Sequence, residues 1–155
     1  MNDAIAIKQE NELLQLVTFG IGEEEFGIDI LKVQEIIRTM AIAKVPNSPP
    51  YVEGVINLRG KVIPVIDLRS RFNMGYRSHD NHTRIIVLEL HGMIIGFVVD
   101  EVSEVLRIQS NTVEPPPPVV SGIESEYIKG VGKLDNRLLI LLDLEKLIPV
   151  EELRH

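Results

Sequence analysis

The 155-residue chain has no cysteine and no tryptophan. Without thiols there is neither a disulfide framework nor a thiolate metal site, a composition that suits a reducing compartment. Aromatic residues make up only 5% of the chain, which leaves little ring surface on which bases could stack. Cations are scarce as well: 16 Lys+Arg stand against 23 Asp+Glu, a formal net charge of −7, the wrong sign for a protein that gains affinity by neutralising phosphates. Long apolar runs are missing too. Stretches such as "RLLILLDL" and "MIIGFVV" fall well short of the ~20 residues a membrane helix needs, and the start "MNDAIAIKQEN" has no basic flank followed by an apolar segment. These absences predict a cytoplasmic protein with no membrane insertion and no nucleic-acid partner.

Catalytic signatures are also absent. There is no Gly-Lys-Ser/Thr phosphate loop, no Gly-x-Ser-x-Gly elbow and no His-Glu-x-x-His helix, and Gly20-Ile21-Gly22 lacks the third glycine of a dinucleotide fingerprint. Asp67 and Asp143 have the look of an acid/base pair, but each opens a short apolar segment, "LRSRF" and "LEKLI", where an N-cap is the plainer reading. His79, Asp80 and His82 are close enough in sequence to share an ion, yet they sit in a polar stretch with no fourth ligand nearby. No metal, cofactor or enzymatic activity is expected.

What is present is a repeat. Residues 51–72 align with 127–148 at an offset of 76 and share Tyr, Gly, Val, Leu, Asp and Leu, with apolar residues opposite apolar at most other positions. Upstream, Gly27, Val33, Glu35 and Arg38 align with Gly96, Val102, Glu104 and Arg107 at an offset of 69. The second copy is therefore seven residues longer, 76 − 69, and the insertion falls in the loop that carries "VEPPPPVV", a surface loop being where an insertion is best tolerated. The Pro115–Pro118 run reads either as a stiff connector or as a polyproline ligand.

Each copy reads as short strands with turns every 8 to 12 residues. "LLQLVTF" and "EFGIDI" form a hairpin; "LKVQEIIRT" suits either a helix with Val33, Ile36 and Ile37 on one face or, as favoured here, a turn entering a strand on which Val33, Glu35 and Ile37 share a side; and the prolines of "KVPNSPP" can continue neither element. The expected fold is all-β with minor α: two pseudo-repeated five-stranded SH3/OB-like barrel subdomains packed together, with short helices at the barrel ends and C-terminus. Subdomain 1 covers about 13–72, a linker 73–82 and subdomain 2 about 83–150. Whether the subdomains exchange strands is open. Neither copy alone would bury much core, so a shared interface should supply stability.

The hairpin tips differ. The first carries Arg59-Gly60, the second Asp135-Asn136, so the fold does not require a cation there. An arginine on an exposed turn is a long, fork-shaped donor available to a partner.

The stretches "EEFGIDILKVQEIIR", "VPNSPPYVEGVINLRGKVIPVIDLR", "IGFVVDEVSEVL" and "EYIKGVGKLDNRLLILLDLEKL" together resemble the CheW-like domain family of bacterial chemotaxis coupling proteins. The resemblance covers about 13–150 and implies a single domain of two barrel subdomains. It implies a non-enzymatic adaptor that couples chemoreceptors to the regulatory domain of the histidine kinase CheA and is recruited from the cytoplasm to membrane-bound receptor arrays. A related pathway with pilus motility or another output is the alternative. The family's receptor-binding stretches carry over to Val33, Glu35, Arg59 and Val62; its kinase contacts carry over to no particular residue. With the second subdomain reaching almost to His155, no receiver or kinase module is expected.

Overall fold

In the computed structural model, residues 12–120 and 122–153 are described. Among them the strands are β1 (Leu13–Ile21), β2 (Glu24–Asp29), β3 (Val33–Arg38), β4 (Val52–Leu58), β5 (Lys61–Asp67), β6 (Arg84–Leu90), β7 (Met93–Val99), β8 (Glu101–Gln109), β9 (Val113–Glu114), β10 (Val119–Val120), β11 (Ile123–Glu124), β12 (Ile128–Leu134) and β13 (Arg137–Leu142). Two one-turn helices, α1 (Leu68–Arg71) and α2 (Leu144–Leu147), follow the repeated hairpins. Asp67 and Asp143 cap them: the Asp67 carboxylate accepts from the Arg69 N–H at 3.0 Å and that of Asp143 from the Lys146 N–H at 3.3 Å. No helix among the described residues is long and apolar enough to cross a membrane.

The strands form a five-stranded sheet ordered β3-β6-β7-β5-β4, a six-stranded sheet ordered β8-β1-β2-β13-β12-β9, and the small pair β10-β11. The two halves have therefore exchanged hairpins. β1 and β2, from the first half, lie in the sheet of β12 and β13, while β6 and β7, from the second, lie in the sheet of β3, β4 and β5. Both exchanges are sealed by a parallel pairing at equivalent places, β2 with β13 through Phe26↔Ile140 and β5 with β7 through Ile66↔Phe97. Neither of the two large sheets is made from the strands of 13–72 alone or of 83–150 alone.

The sheets curl without closing into barrels. In the first, the edges meet only where Ala43, beyond β3, bridges Val55 of β4 through two hydrogen bonds of 2.8 and 2.9 Å. In the second, β9 fills the same place by pairing Val113 and Glu114 with β12. Both closures are short because prolines follow, Pro46 after Ala43 and Pro115 after Glu114, and proline has no N–H to extend a ladder. The backbones come so close that a side chain cannot stand between them. A Cβ on Gly54 would collide with the Ala43 carbonyl, and one on Gly130 with Val113.

Bulges repeat as well. Gln34 and Ser103 are the extra residues of β3 and β8, Glu53 and Lys129 those of β4 and β12. The first pair is 69 residues apart and the second 76, the same two offsets as the sequence repeat. At the β8 bulge the buried Thr18 hydroxyl donates to the Glu104 carbonyl and accepts from its N–H, at 3.1 and 3.2 Å, supplying partners to main chain that the disrupted ladder leaves over.

One core lies between the sheets. Phe19 meets Phe26 and Phe97 there, at centroid distances of 5.7 and 5.4 Å, alongside Ile66, Ile86, Leu88, Ile140 and Leu142. Smaller clusters fill each sheet's concave side, Ile56, Ile63 and Val65 in the first and Leu16, Ile108 and Leu139 in the second. Full burial of a phenylalanine contributes roughly 2 kcal/mol or more, so most of the stabilisation sits at the shared interface, as the size of each copy required.

The linker is tied down by charge. The half-buried Asp100 carboxylate accepts from the Gly22 N–H at 2.7 Å, from Arg69 at 2.8 Å and from Arg77 at 3.0 Å. Arg77 also reaches Asp80, whose carboxylate caps the turn by accepting from His82 N at 2.8 Å. That backbone bond is the main reason Asp80 stays below the usual carboxylate range.

Candidate functional site

The β4–β5 hairpin turns on Arg59 and Gly60, both with positive φ, 52° and 85°, and Asn57 Oδ1 accepts from the Gly60 N–H at 2.9 Å. A tight hairpin turn of this hand favours Asn, Asp or Gly at its first position, because a Cβ there costs about 1 kcal/mol or more. Asp135, with φ of 31°, meets that preference at the second tip. Arg59 does not, so the reason for an arginine lies in what its side chain does.

The guanidinium reaches back to β3. Arg59 forms a two-pronged pair with Glu35, Nη1 to Oε1 at 3.2 Å and Nη2 to Oε2, on a side chain 69% exposed. Glu35 raises Arg59 above its ordinary basicity, first through the hydrogen bond and then through its charge. The pair lines a hollow of about 100 Å³ together with Leu58, Lys61, Ile63 and Val87. A planar cation held in one orientation with donors to spare can bind a carboxylate or a carbonyl.

Of the four residues expected to form one surface, Glu35 and Arg59 are brought together directly. Val62 follows on β5, 68% exposed. Val33 is separated from Glu35 by the bulge at Gln34: Val33 pairs with Leu88 and packs on the shared core, whereas Glu35 pairs with Val87, whose side chain fills the first sheet's own core. The expectation that Val33, Glu35 and Ile37 share one side of a strand fails at Val33, because the inserted residue reverses the alternation. Ile36, 40% exposed, takes the side Val33 occupies, and simple alternation misses it.

The other sequence candidates have structural partners. His79 Nε2 lies 2.9 Å from Glu53 Oε1. Burial pushes the Glu53 carboxyl above its usual range, against the pull of His79 and with the added push of Asp67, and its second oxygen is buried without a hydrogen-bond partner. Asp67 and Asp143 are occupied as caps.

A second surface went unread in the sequence. A groove of about 480 Å³ runs between the start of β1, the turn 30–32 and α2, floored by Leu16, Ile28, Leu141 and Leu144. Leu13 and Leu31 stand on its rim, 57% and 88% exposed, and Lys32 pairs with Glu145 at 2.8 Å across one end. Asp29 accepts from the Leu31 N–H at 2.9 Å, which fixes the turn that displays the leucine. The legible signal was an apolar residue two positions after a capping aspartate, in a turn where a polar residue is the norm.

A family model described as "CheW-like domain" matches residues 15–152. The chain is 42% identical to a chemotaxis protein CheW of Klebsiella aerogenes, over 90% of this chain and 84% of that one. It is 38% identical to one of Treponema pallidum, over 93% and 87%. A crystal structure of scaffolding protein TtCheW from Thermoanaerobacter tengcongensis superposes with a TM-score of 0.81 at 42% identity, covering 88% of each chain.

Proposed function

Since the chain belongs to the CheW-like domain family, we propose that it is a non-enzymatic scaffold of chemotaxis signalling that joins chemoreceptors to the histidine kinase CheA. The observation that carries this reading is Arg59: an arginine in a left-handed turn position, braced by Glu35, where the repeat equivalent is Asp135.

The receptor face is built from Glu35, Arg59, Val62 and Val33. Glu35 keeps the guanidinium in one orientation, so little side-chain entropy remains to be lost on binding. A helical receptor tip lays apolar side chains on Val62 and the flank of Val33, and a carboxylate or carbonyl at its turn takes the free edge of Arg59. The kinase's regulatory domain fits the leucine-rimmed groove, where Leu31 offers an apolar knob beside an apolar floor. With the two surfaces occupied together, one chain bridges both partners. The scaffold works in the cytoplasm and is carried to the membrane by the receptors it binds.

The test is sedimentation of the full chain with a receptor cytoplasmic hairpin fragment and the kinase regulatory domain, singly and together. A three-component complex is expected, with Arg59→Asp losing the receptor fragment alone and Leu31→Asp the kinase domain alone. A chain that binds neither partner contradicts the reading.

A further inference from the structure

Arg71, the last residue of α1, lies where the two halves of the chain meet. Its guanidinium carbon stands 5.2 Å from the centre of the Tyr51 ring and 5.4 Å from that of Tyr127, and its Nε–H donates to the Leu147 carbonyl at 2.9 Å. Tyr51 and Tyr127 are one position of the repeat, and so are Arg71 and Leu147. Each tyrosine is fixed in the same way: the Tyr51 carbonyl accepts from the Asp67 N–H at 2.8 Å, the Tyr127 carbonyl from the Asp143 N–H at 2.9 Å. A residue that touches both members of one repeat pair and also its own counterpart stands on the local two-fold axis relating the halves. There is room on such an axis for a single cation, since a second arginine at 147 would bring like charges together over the same rings. The sequence has leucine there.

We propose that Arg71 is a positioning residue that fixes the angle between the two sheets at their helical ends and so sets where the Arg59 tip stands relative to the second sheet. β5 runs its seven residues from the Arg59 tip to α1, and β13 runs from the other tip to α2. The pin and the tips are thus at opposite ends of the strands, separated by about 20 Å at roughly 3.3 Å per residue. A small rotation at the pin is magnified at the tips. The apolar core between the sheets holds them together without direction, whereas a planar guanidinium seated on two rings and bonded to a carbonyl has a defined orientation. The consequence for binding rests on the receptor reading of Arg59; the angle itself depends on no partner.

Residual dipolar couplings measured on the full chain and on Arg71→Met test this. Couplings from each sheet of the variant should fit that sheet alone but not both sheets with one alignment on the parent structure, and a receptor hairpin fragment should bind about tenfold more weakly. Arg71→Lys, which keeps the cation and loses the planar fork, should fall between the two. If Arg71→Met does not fold, Tyr127→Leu carries the test, because it removes one ring and leaves the bond to Leu147. Variant couplings that fit the parent structure with a single alignment overturn the proposal, even if the melting temperature falls. A fragment that binds neither parent nor variant contradicts the receptor reading, and the couplings still decide the role of Arg71.

Discussion

At their bases the hairpins β4–β5 and β12–β13 are near copies. Asp67 caps α1 and Asp143 caps α2, at 3.0 and 3.3 Å, and the tyrosine that opens each repeat accepts from the same aspartate's N–H at 2.8 and 2.9 Å. At their tips they part. Arg59 crosses to Glu35, while Asp135 sits in a turn that suits it and the neighbouring Arg137 reaches Glu25 at 3.2 Å, with Glu104, the counterpart of Glu35, at 3.8 Å. Where the halves agree, the residue is answering a demand of the fold that both halves share. Where they differ with no loss to the fold, the position is free to serve a partner.

The largest effect should come from the shared glycines. Gly54→Val places a side chain against the Ala43 carbonyl and is expected to cost about 4 kcal/mol. Gly130→Val meets mainly a movable valine side chain and should cost about 2 kcal/mol, both read from urea unfolding. Equal stability of either variant and the parent would break the claim that agreement marks structure. The caps come next: Asp67→Ala and Asp143→Ala should each lose about 1 kcal/mol, and a large disparity between them would show that the two bases are not equivalent.

The tips should behave in the opposite way. Arg59→Asp, which gives the first tip the residue of the second, is expected to abolish receptor-fragment binding in calorimetry without moving the melting temperature, and the reciprocal Asp135→Arg should change neither. A melting temperature that collapses in Arg59→Asp would make the arginine structural and erase the contrast.

The smallest effect concerns the bulge residues, Glu53 in one half and Lys129 in the other. Burial raises the Glu53 carboxyl above its unfolded value, so its contribution is fully present below the unfolded pKa and is lost as pH rises through the folded one. As pH rises above the ordinary glutamate pKa of about 4.3, the parent should therefore lose stability relative to Glu53→Gln. A difference that stays flat above that pH would contradict the raised carboxyl.

Much of this was legible in the sequence because the repeat could be checked against itself. The offset of 76 that aligned Tyr51 with Tyr127 and Asp67 with Asp143 picked out the caps and the close-approach glycines, and the mismatch of Arg59 with Asp135 picked out the tip. The exchange of hairpins was not legible, since Phe26 against Ile140 and Ile66 against Phe97 satisfy the same apolar alternation that pairing within each half would. Nor was the bulge at Gln34, which places Val33 and Glu35 on opposite sides of β3: a bulge is a property of two paired backbones, and neither strand's side-chain pattern records it. Leu31 was overlooked because turns are read for glycine, proline and polar residues, and an exposed leucine breaks no rule of folding.

The central claim, that the first tip and not the second meets the receptor, is tested most directly by titrating the labelled chain with a receptor cytoplasmic hairpin fragment and following amide chemical shifts residue by residue. Shifts should gather at Val33, Glu35, Arg59 and Val62, extend to Ile36, and be lost in Arg59→Asp. Shifts centred on Asp135–Arg137, or a pattern that Arg59→Asp leaves unchanged, would contradict it.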